Sequence, residues 1–449
     1  MTMESARLVL VLLWTVLVRF IVWPMAHLLA LVSDRIRDQL KNRKHSRELA
    51  VELATLRRSY DDCVIFFCSS AGEYEQAKPI IERISSNPTV LCHVIFFSAS
   101  GPEFIKARKE QVSWSLAPKD DVFEWGTIFA ALRPTVTYVI RHELWPAFLW
   151  AASQWSKVIV INAVVPSLLG RQAEWKETLN LMIKSWLLRF VDVVCVVSTS
   201  DKEFFESRLG LGNEKVFVTG DTKYDRVIER AAGGRHRTEK VRDLFRNEWQ
   251  PVGTDKIIVC GSAHVPDVEL LLEAFSQPKL NCFRVIVVPH DVSSGNVAVI
   301  FDKIAKKGHT VELLSEIKAA GFKFPSPSPR FVVVDELGRL FDLYSVADLA
   351  WVGGAVHDKV HNVLEPAAWG VPVTSGPKVE NSQEASAMRK EGLLLSASAP
   401  DEVCAQWYKL LGNIQDYGKR TEKFAADMAG ASGRVIAMTL PIQLRNSLR

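Results

Sequence analysis

Short runs of wholly apolar residues, each closed by glycine or another small residue, recur along this chain and limit its fold more than any other feature. The first is Cys63 to Cys68 (CVIFFC), followed by Ser69-Ser70-Ala71-Gly72 and a helical pattern beginning near Glu73. Val94–Phe97, Thr137–Ile140, Val158–Ile161, Val191–Val197 and Val216–Thr219 repeat the theme. Runs that are apolar on both faces fit strands covered on both sides, and helical stretches between them, such as the amphipathic Leu179 to Leu188, point to a parallel sheet. The alternation restarts at Ile257–Cys260, Val285–Val288, Phe331–Val334, Leu349–Val352 and Val371–Thr374. A chain of 449 residues exceeds one ordinary core. The strongly charged segment Arg226 to Gln250, with the turn Pro251–Thr254, reads as a linker between two α/β halves. Two such halves are expected to face a cleft with their ligand edges turned inward. Phe324–Pro329, punctuated by prolines, reads as a loop and not as a boundary.

Candidate site residues sit directly after the strands. In Leu349 to Pro377, the apolar run ends at Gly353-Gly354, and a loop with His357, Asp358, Lys359 and His361 follows. Asn362 is placed like an N-cap for a short helix over Val363–Trp369, with Glu365 in its first turn. A glycine turn beside a helix N-terminus suits a phosphate, and Glu365 suits sugar hydroxyls; a plain capping box in any α/β domain fits the same residues. Glu73 follows the first strand and Glu143 the strand ending at Ile140, within Arg141-His142-Glu143, so two carboxylates share one sheet edge. Glu73 is a candidate general base, or a first-turn residue complementing the helix dipole, and Glu143 by itself fits a capping or salt-bridged role. Lys223 follows the strand at Val216 and points to the same edge.

The N-terminus carries a second signal. Leu8 to Val32 is apolar apart from Arg19, Pro24 and His27, long enough to cross a hydrocarbon core of roughly 30 Å. Arg19 near its middle would cost about 3 kcal/mol at a bilayer centre, so a transmembrane span and an interfacial helix both stay open. Arg35, Arg37, Lys41, Arg43, Lys44, Arg47, Arg57 and Arg58 follow and put the remaining chain on the cytoplasmic side. Neither half's strand pattern draws on the apolar run, so it is expected to be separable from them. A net charge of only +4 gives no case for nucleic-acid binding. The seven cysteines are scattered without a CxxC pair and read as reduced core residues.

With these residues in place the chain resembles the Kdo transferases, membrane-associated GT-B glycosyltransferases of lipopolysaccharide synthesis. The resemblance rests on Ser70-Ala71-Gly72-Glu73, Glu143-Leu144-Trp145-Pro146, Thr219-Gly220 with Lys223-Tyr224-Asp225, Gly261-Ser262-Ala263-His264, Gly353-Gly354 with His361-Asn362, and Glu365-Pro366-Ala367-Ala368. It implies a membrane anchor over 1–34, an acceptor domain over 35–230 and a donor domain over 231–449. It also implies inverting transfer of 3-deoxy-D-manno-oct-2-ulosonic acid (Kdo) from CMP-Kdo to a lipid A precursor at the inner membrane, with no cofactor and no metal. Glu73 would be the base, and Glu143 and Lys223 would stabilise the transition state. Donor contacts would come from Ser262, His264, Pro289, His290, Leu337, Gly338, Arg339, Gly353, Gly354, His361, Asn362, Val363, Leu364 and Glu365.

Four departures stand out against that family. Pro289-His290-Asp291 replaces Pro-Arg-His, Leu337-Gly338-Arg339 replaces Met-Gly-Glu, Val164 replaces an arginine, and Lys378 replaces a histidine. They leave open a transferase of altered specificity, one using another nucleotide sugar, or a silent membrane-bound member of the fold.

Overall fold

The structure, a computed structural model, describes residues 3–33, 36–37, 40, 43, 45–141, 143–165, 174–249, 256–280, 282–325 and 328–446. Arg35, Lys41 and Lys44 of the basic flank, His142, the turn Pro251–Thr254, and Ser326-Pro327 lie outside the described residues.

The chain divides into two compact units, Met1–Arg226 with Ala429–Arg449, and Val227–Met428. Each is built on a seven-stranded sheet whose pairings are all parallel. In the first unit β1 (Asp62–Cys68), β2 (Val90–Phe96), β3 (Ser113–Leu116), β4 (Val136–Ile140), β5 (Lys157–Ala163), β6 (Val193–Val196) and β7 (Val216–Val218) lie in the order β3-β2-β1-β4-β5-β6-β7. Strand order reverses between β1 and β4, the switch point where open α/β sheets leave a crevice. In the second unit β8 (Lys256–Ala263), β9 (Phe283–Pro289), β10 (Val311–Leu313), β11 (Phe331–Val333), β12 (Leu349–Val352), β13 (Val373–Ser375) and β14 (Leu394–Ser396) lie in the order β10-β11-β9-β8-β12-β13-β14. Its reversal falls between β8 and β12.

Helices cover both faces of each sheet, which is why the strands read as continuous apolar runs. In β1, Cys63, Ile65 and Phe67 enter one core cluster while Val64, Phe66 and Cys68 enter the cluster on the opposite face. None of the seven cysteines is in a disulfide, and all but Cys282 are buried, as the scattered pattern implies.

Three expectations change. The charged stretch from Arg226 is no linker: helices run Thr222–Arg237 and Glu239–Arg242, a π-helical turn spans Asp243–Glu248, and Phe245 and Trp249 are buried in the second unit's core. Its charges occupy one side of an amphipathic stretch. The second unit does not run to residue 449: the helix Ala431–Thr439 buries Val435 and Ile436 against the first sheet, and Tyr138 and Thr439 share a hydrogen bond of 2.8 Å. Nor does the apolar N-terminus stand apart from the first unit. Its helix Met3–Leu17 continues through a π turn, Val18–Val22, into Trp23–Leu29. Val11 and Thr15 are buried in the first unit, and Thr15 Oγ1 accepts from the Val122 amide at 3.2 Å.

Candidate functional site

In the first unit the helix Ala71–Ser85 follows β1 after Ser69 and Ser70, which sets Glu73 in its first turn at the sheet's switch point. Its carboxylate accepts from the Ser69 amide at 2.5 Å. Burial pushes its pKa up to about 7, against the opposing pull of that amide, and the negative charge of Glu143 adds to the rise. The two carboxylates expected at one edge therefore feel each other. Glu143 is oriented by Trp145, whose indole Nε1–H donates to it at 2.9 Å, and Pro146 starts the helix Pro146–Trp155 directly afterwards.

Lys223 joins this edge through the N-terminus of the helix Thr222–Arg237. Asp221 lies 3.4 Å from the Lys223 ammonium and 3.6 Å from the Arg141 guanidinium, so one buried carboxylate gathers both cations. Thr222 Oγ1 donates to the Gln76 carbonyl at 2.6 Å, while Asn162 Nδ2 lies 2.7 Å from Thr222 Oγ1 and the Thr222 amide donates to Asn162 Oδ1 at 3.1 Å. These bonds sew the start of that helix across to β5 and to the helix carrying Glu73. Arg141 and Asn162 both hold φ values near +55° (58° and 55°), a costly conformation for residues with a Cβ, and both stand at the strand ends that build the edge. Gln76, Asn162, Asp221 and Thr222 are ordinary polar letters in the sequence; only their convergence marks them.

Beside this edge lies an apolar cavity of about 910 Å³. Leu10, Trp14, Val18 and Val22 of the N-terminal helix line one side, Met182 and Ile183 of the helix Glu174–Leu187 another, and Trp145 reaches its wall. Asp120 is its polar anchor. It accepts from Trp14 Nε1 at 2.7 Å, Trp125 Nε1 at 3.1 Å, the Phe148 amide at 2.9 Å and the Ala147 amide at 3.3 Å. Next to it Asp121, wholly buried, pairs with Arg19 at 2.5 Å. The arginine that sits awkwardly in an apolar run thus has a partner on the globular unit.

The second unit's edge gathers most of the expected donor residues. Ser262, with φ of 49°, lies at the end of β8 and His264 follows that strand; Pro289 ends β9 and His290 follows; Gly353, Gly354 and His361 follow β12. A Cβ on Gly353 would lie 2.4 Å from the Ser262 carbonyl, and Gly354 holds φ of 93° with the His361 ring packed over it, so glycine is required at both places. The rings of His264, His290 and His361 stack on one another, with His264 and His361 nitrogens 2.9 Å apart. Burial and the neighbouring imidazoles hold His264 below the ordinary histidine range and bring His361 down to about 4.

The helix over Leu364–Ala368 is shorter than expected, and Val363 and Leu364 are buried. Asn362 Oδ1 accepts from the Leu364 amide at 3.1 Å, and Glu365 lies 3.8 Å from Arg230. Arg339 is exposed and paired with Glu336 at 2.9 Å, Gly338 makes the turn at φ of 77°, and Leu337 projects into solvent. Lys378 donates to the His357 carbonyl at 2.7 Å, bracing the loop that leads to His361.

Comparison with known proteins adds four findings. The family model described as 3-deoxy-D-manno-octulosonic-acid transferase (kdotransferase) matches residues 37–226. The chain is 26% identical over 353 residues to the 3-deoxy-D-manno-octulosonic acid transferase of Aquifex aeolicus, covering 76% of this chain and 84% of that one. It is 23% identical to the enzyme of the same name from Haemophilus influenzae, covering 85% and 88%. In fold it is similar to UDP-GlcNAc 2-epimerase from Neisseria meningitidis, with a TM-score of 0.56 over 84% of this chain and 99% of that one at 15% identity.

Proposed function

Since the chain is a GT-B glycosyltransferase of the Kdo-transferase family, we propose that it moves Kdo from CMP-Kdo to the sugar hydroxyl of a lipid A precursor at the cytoplasmic face of the inner membrane. The observation that carries the reading is Glu73. It is a half-buried carboxylate with its pKa near 7, inside the segment that matches the family model. A base so tuned is half ionised at neutral pH and takes a hydroxyl proton as the new glycosidic bond forms. Glu143, held by Trp145, raises the proton affinity of Glu73 and faces the positive charge that develops at the anomeric carbon. Lys223 and Arg141, gathered by Asp221, supply fixed positive charge for the departing phosphate. The second unit contributes the donor half through its backbone turn at Gly353-Gly354 and the residues from Asn362 to Glu365.

The acceptor's lipid character is supported by the cavity lined by the N-terminal helix, which matches acyl chains in chemistry. The anchor is inferred to lie in the interface. Trp14, Thr15 and Arg19 bind the globular unit, while Leu13, Phe20, Leu28 and other apolar side chains of the helix stay exposed. The 23-residue helix Arg7–Leu29 has the length and apolarity for a span, but its polar contacts hold it against the protein.

Purified full-length protein given CMP-Kdo generated in situ and a tetra-acylated lipid A precursor in detergent tests this. Release of CMP with a Kdo-sized mass gain on the acceptor is expected. An unmodified acceptor after exhaustive incubation, with the donor intact, would sink the assignment.

A further inference from the structure

We infer that the helix Glu174–Leu187 is a second lipid-contacting element, lying along the membrane interface beside the N-terminal helix with Trp175, Leu179, Met182 and Ile183 turned into the bilayer. The four stand at i, i+4, i+7 and i+8, which places them in one stripe of the helix. All are left bare by the protein: Trp175 and Met182 are 65% exposed, Leu179 49% and Ile183 48%.

A different side of the helix is already engaged with the first unit. Leu181 packs on its core cluster, Leu187 enters that cluster, Ser185 Oγ donates to the Leu209 carbonyl at 2.7 Å, and Glu177 lies 3.8 Å from Arg208. A surface helix of a water-soluble domain carries one apolar side and turns it inward. This helix seats one side on the core and still shows a second apolar stripe, whose contiguous exposure marks a surface meant to be covered.

Continuity identifies the cover as lipid. Leu179, Met182 and Ile183 line the 910 Å³ cavity together with Leu10, Val18 and Val22 of the N-terminal helix, so the two apolar surfaces meet. Among the described residues that N-terminal helix is the one with the length and apolarity of a membrane span. Phe123, 62% exposed beside Asp121, joins the same surface, with the Arg19 guanidinium 5.5 Å from its ring centre. Hydrocarbon that covers the first helix therefore reaches the stripe as well. At the end of the stripe the Lys176 ammonium stands 5.4 Å from the Trp175 ring centre, a pairing suited to the headgroup boundary, where an amphipathic ring and a cation both find partners. Lys176 and Asn180, both exposed, flank the stripe on its polar side. The assignment rests on the reading that the N-terminal helix lies in lipid, and it holds whichever sugar the enzyme moves.

Spin labels on the full-length protein test it. In a Cys282→Ser background, which leaves only buried native cysteines, Leu13→Cys, Lys176→Cys, Leu179→Cys, Asn180→Cys and Met182→Cys are labelled one at a time. All five positions are exposed, so the fold should persist, and circular dichroism verifies it. Each protein is reconstituted into vesicles of phosphatidylethanolamine and phosphatidylglycerol without donor or acceptor. Collisions of the label with oxygen, which concentrates in hydrocarbon, are compared with those of a water-soluble nickel chelate. Labels at 13, 179 and 182 should favour oxygen severalfold more than labels at 176 and 180. A label at 13 that reads lipid beside labels at 179 and 182 that read water would overturn the second element and keep the first. Water at all five would overturn both. Labels at 179 and 182 shielded from both reagents before vesicles are added would assign the stripe to another protein chain and overturn the lipid contact. Kdo transfer is assayed separately, so failure of the transferase reading shows there and not here.

Discussion

Glu73 owes its proton affinity to a balance that single substitutions can tip. Burial drives its pKa upward, the Ser69 amide opposes, and Glu143 adds repulsion. A base must be ionised to act, so transfer should rise as pH passes through about 7 and level off above it. Glu73→Gln should lower the rate by about two to four powers of ten and abolish that limb while leaving CMP affinity intact. Glu143→Gln should move the limb to lower pH, because one repelling charge is gone. A limb that stays put in both variants would remove Glu73 from the role of base. The positions Glu73, Glu143 and Lys223 were legible in the sequence because each directly follows an apolar run. Asp221 and Asn162, which bring Lys223 to them, were not, since nothing local tells a buried polar hub from a surface one.

Elements were legible in proportion to their burial. Strands covered on both faces appear as apolar runs, and β1, β4, β5 and β12 fall where those runs lie. The strands that escape notice, Ser113–Leu116, Val311–Leu313 and Leu394–Ser396, each sit at a sheet edge with one neighbour and four or fewer residues. The charged stretch after Arg226 misleads for another reason: charge density hides a helical period whose apolar side is sparse. Asp120 is the counterpart among polar residues. Its four donors come from the N-terminal helix, the helix Val122–Leu132 and the start of Pro146–Trp155. Asp120→Ala would leave buried N–H groups without an acceptor, a loss of about 3–5 kcal/mol. A fall of several degrees in Tm is expected by calorimetry in detergent; an unchanged Tm would show that these elements hold together without it.

For the whole molecule, the N-terminal helix, long and apolar enough to cross a membrane, is also a structural element of the first unit. Deleting residues 1–34 removes Val11 and Thr15 from the core, Trp14 from Asp120 and Arg19 from Asp121. The shortened chain is expected to lose stability in detergent and not merely its membrane affinity. Differential scanning fluorimetry decides this: a Tm equal to that of the full chain would restore the separable anchor. Donor binding should outlast transfer in such a variant, because the second unit has its own core around β8, β9 and β12.

The return of residues 429–449 to the first unit also sets an order of events during synthesis. Tyr138 and Thr439 are 301 positions apart, so at roughly 5–20 residues per second the tyrosine waits about 15–60 s for its partner to leave the ribosome. In that interval the helix Ala71–Ser85 already covers part of the sheet face through Tyr74, Ile80 and Ile84, but the patch that receives Val435 and Ile436 is open. The second unit, whose sequence is contiguous, can complete its core first. The unit that begins translation is therefore the last to close, and a ribosome that stalls before residue 431 releases a chain with an uncovered apolar patch on its first unit for chaperones to hold.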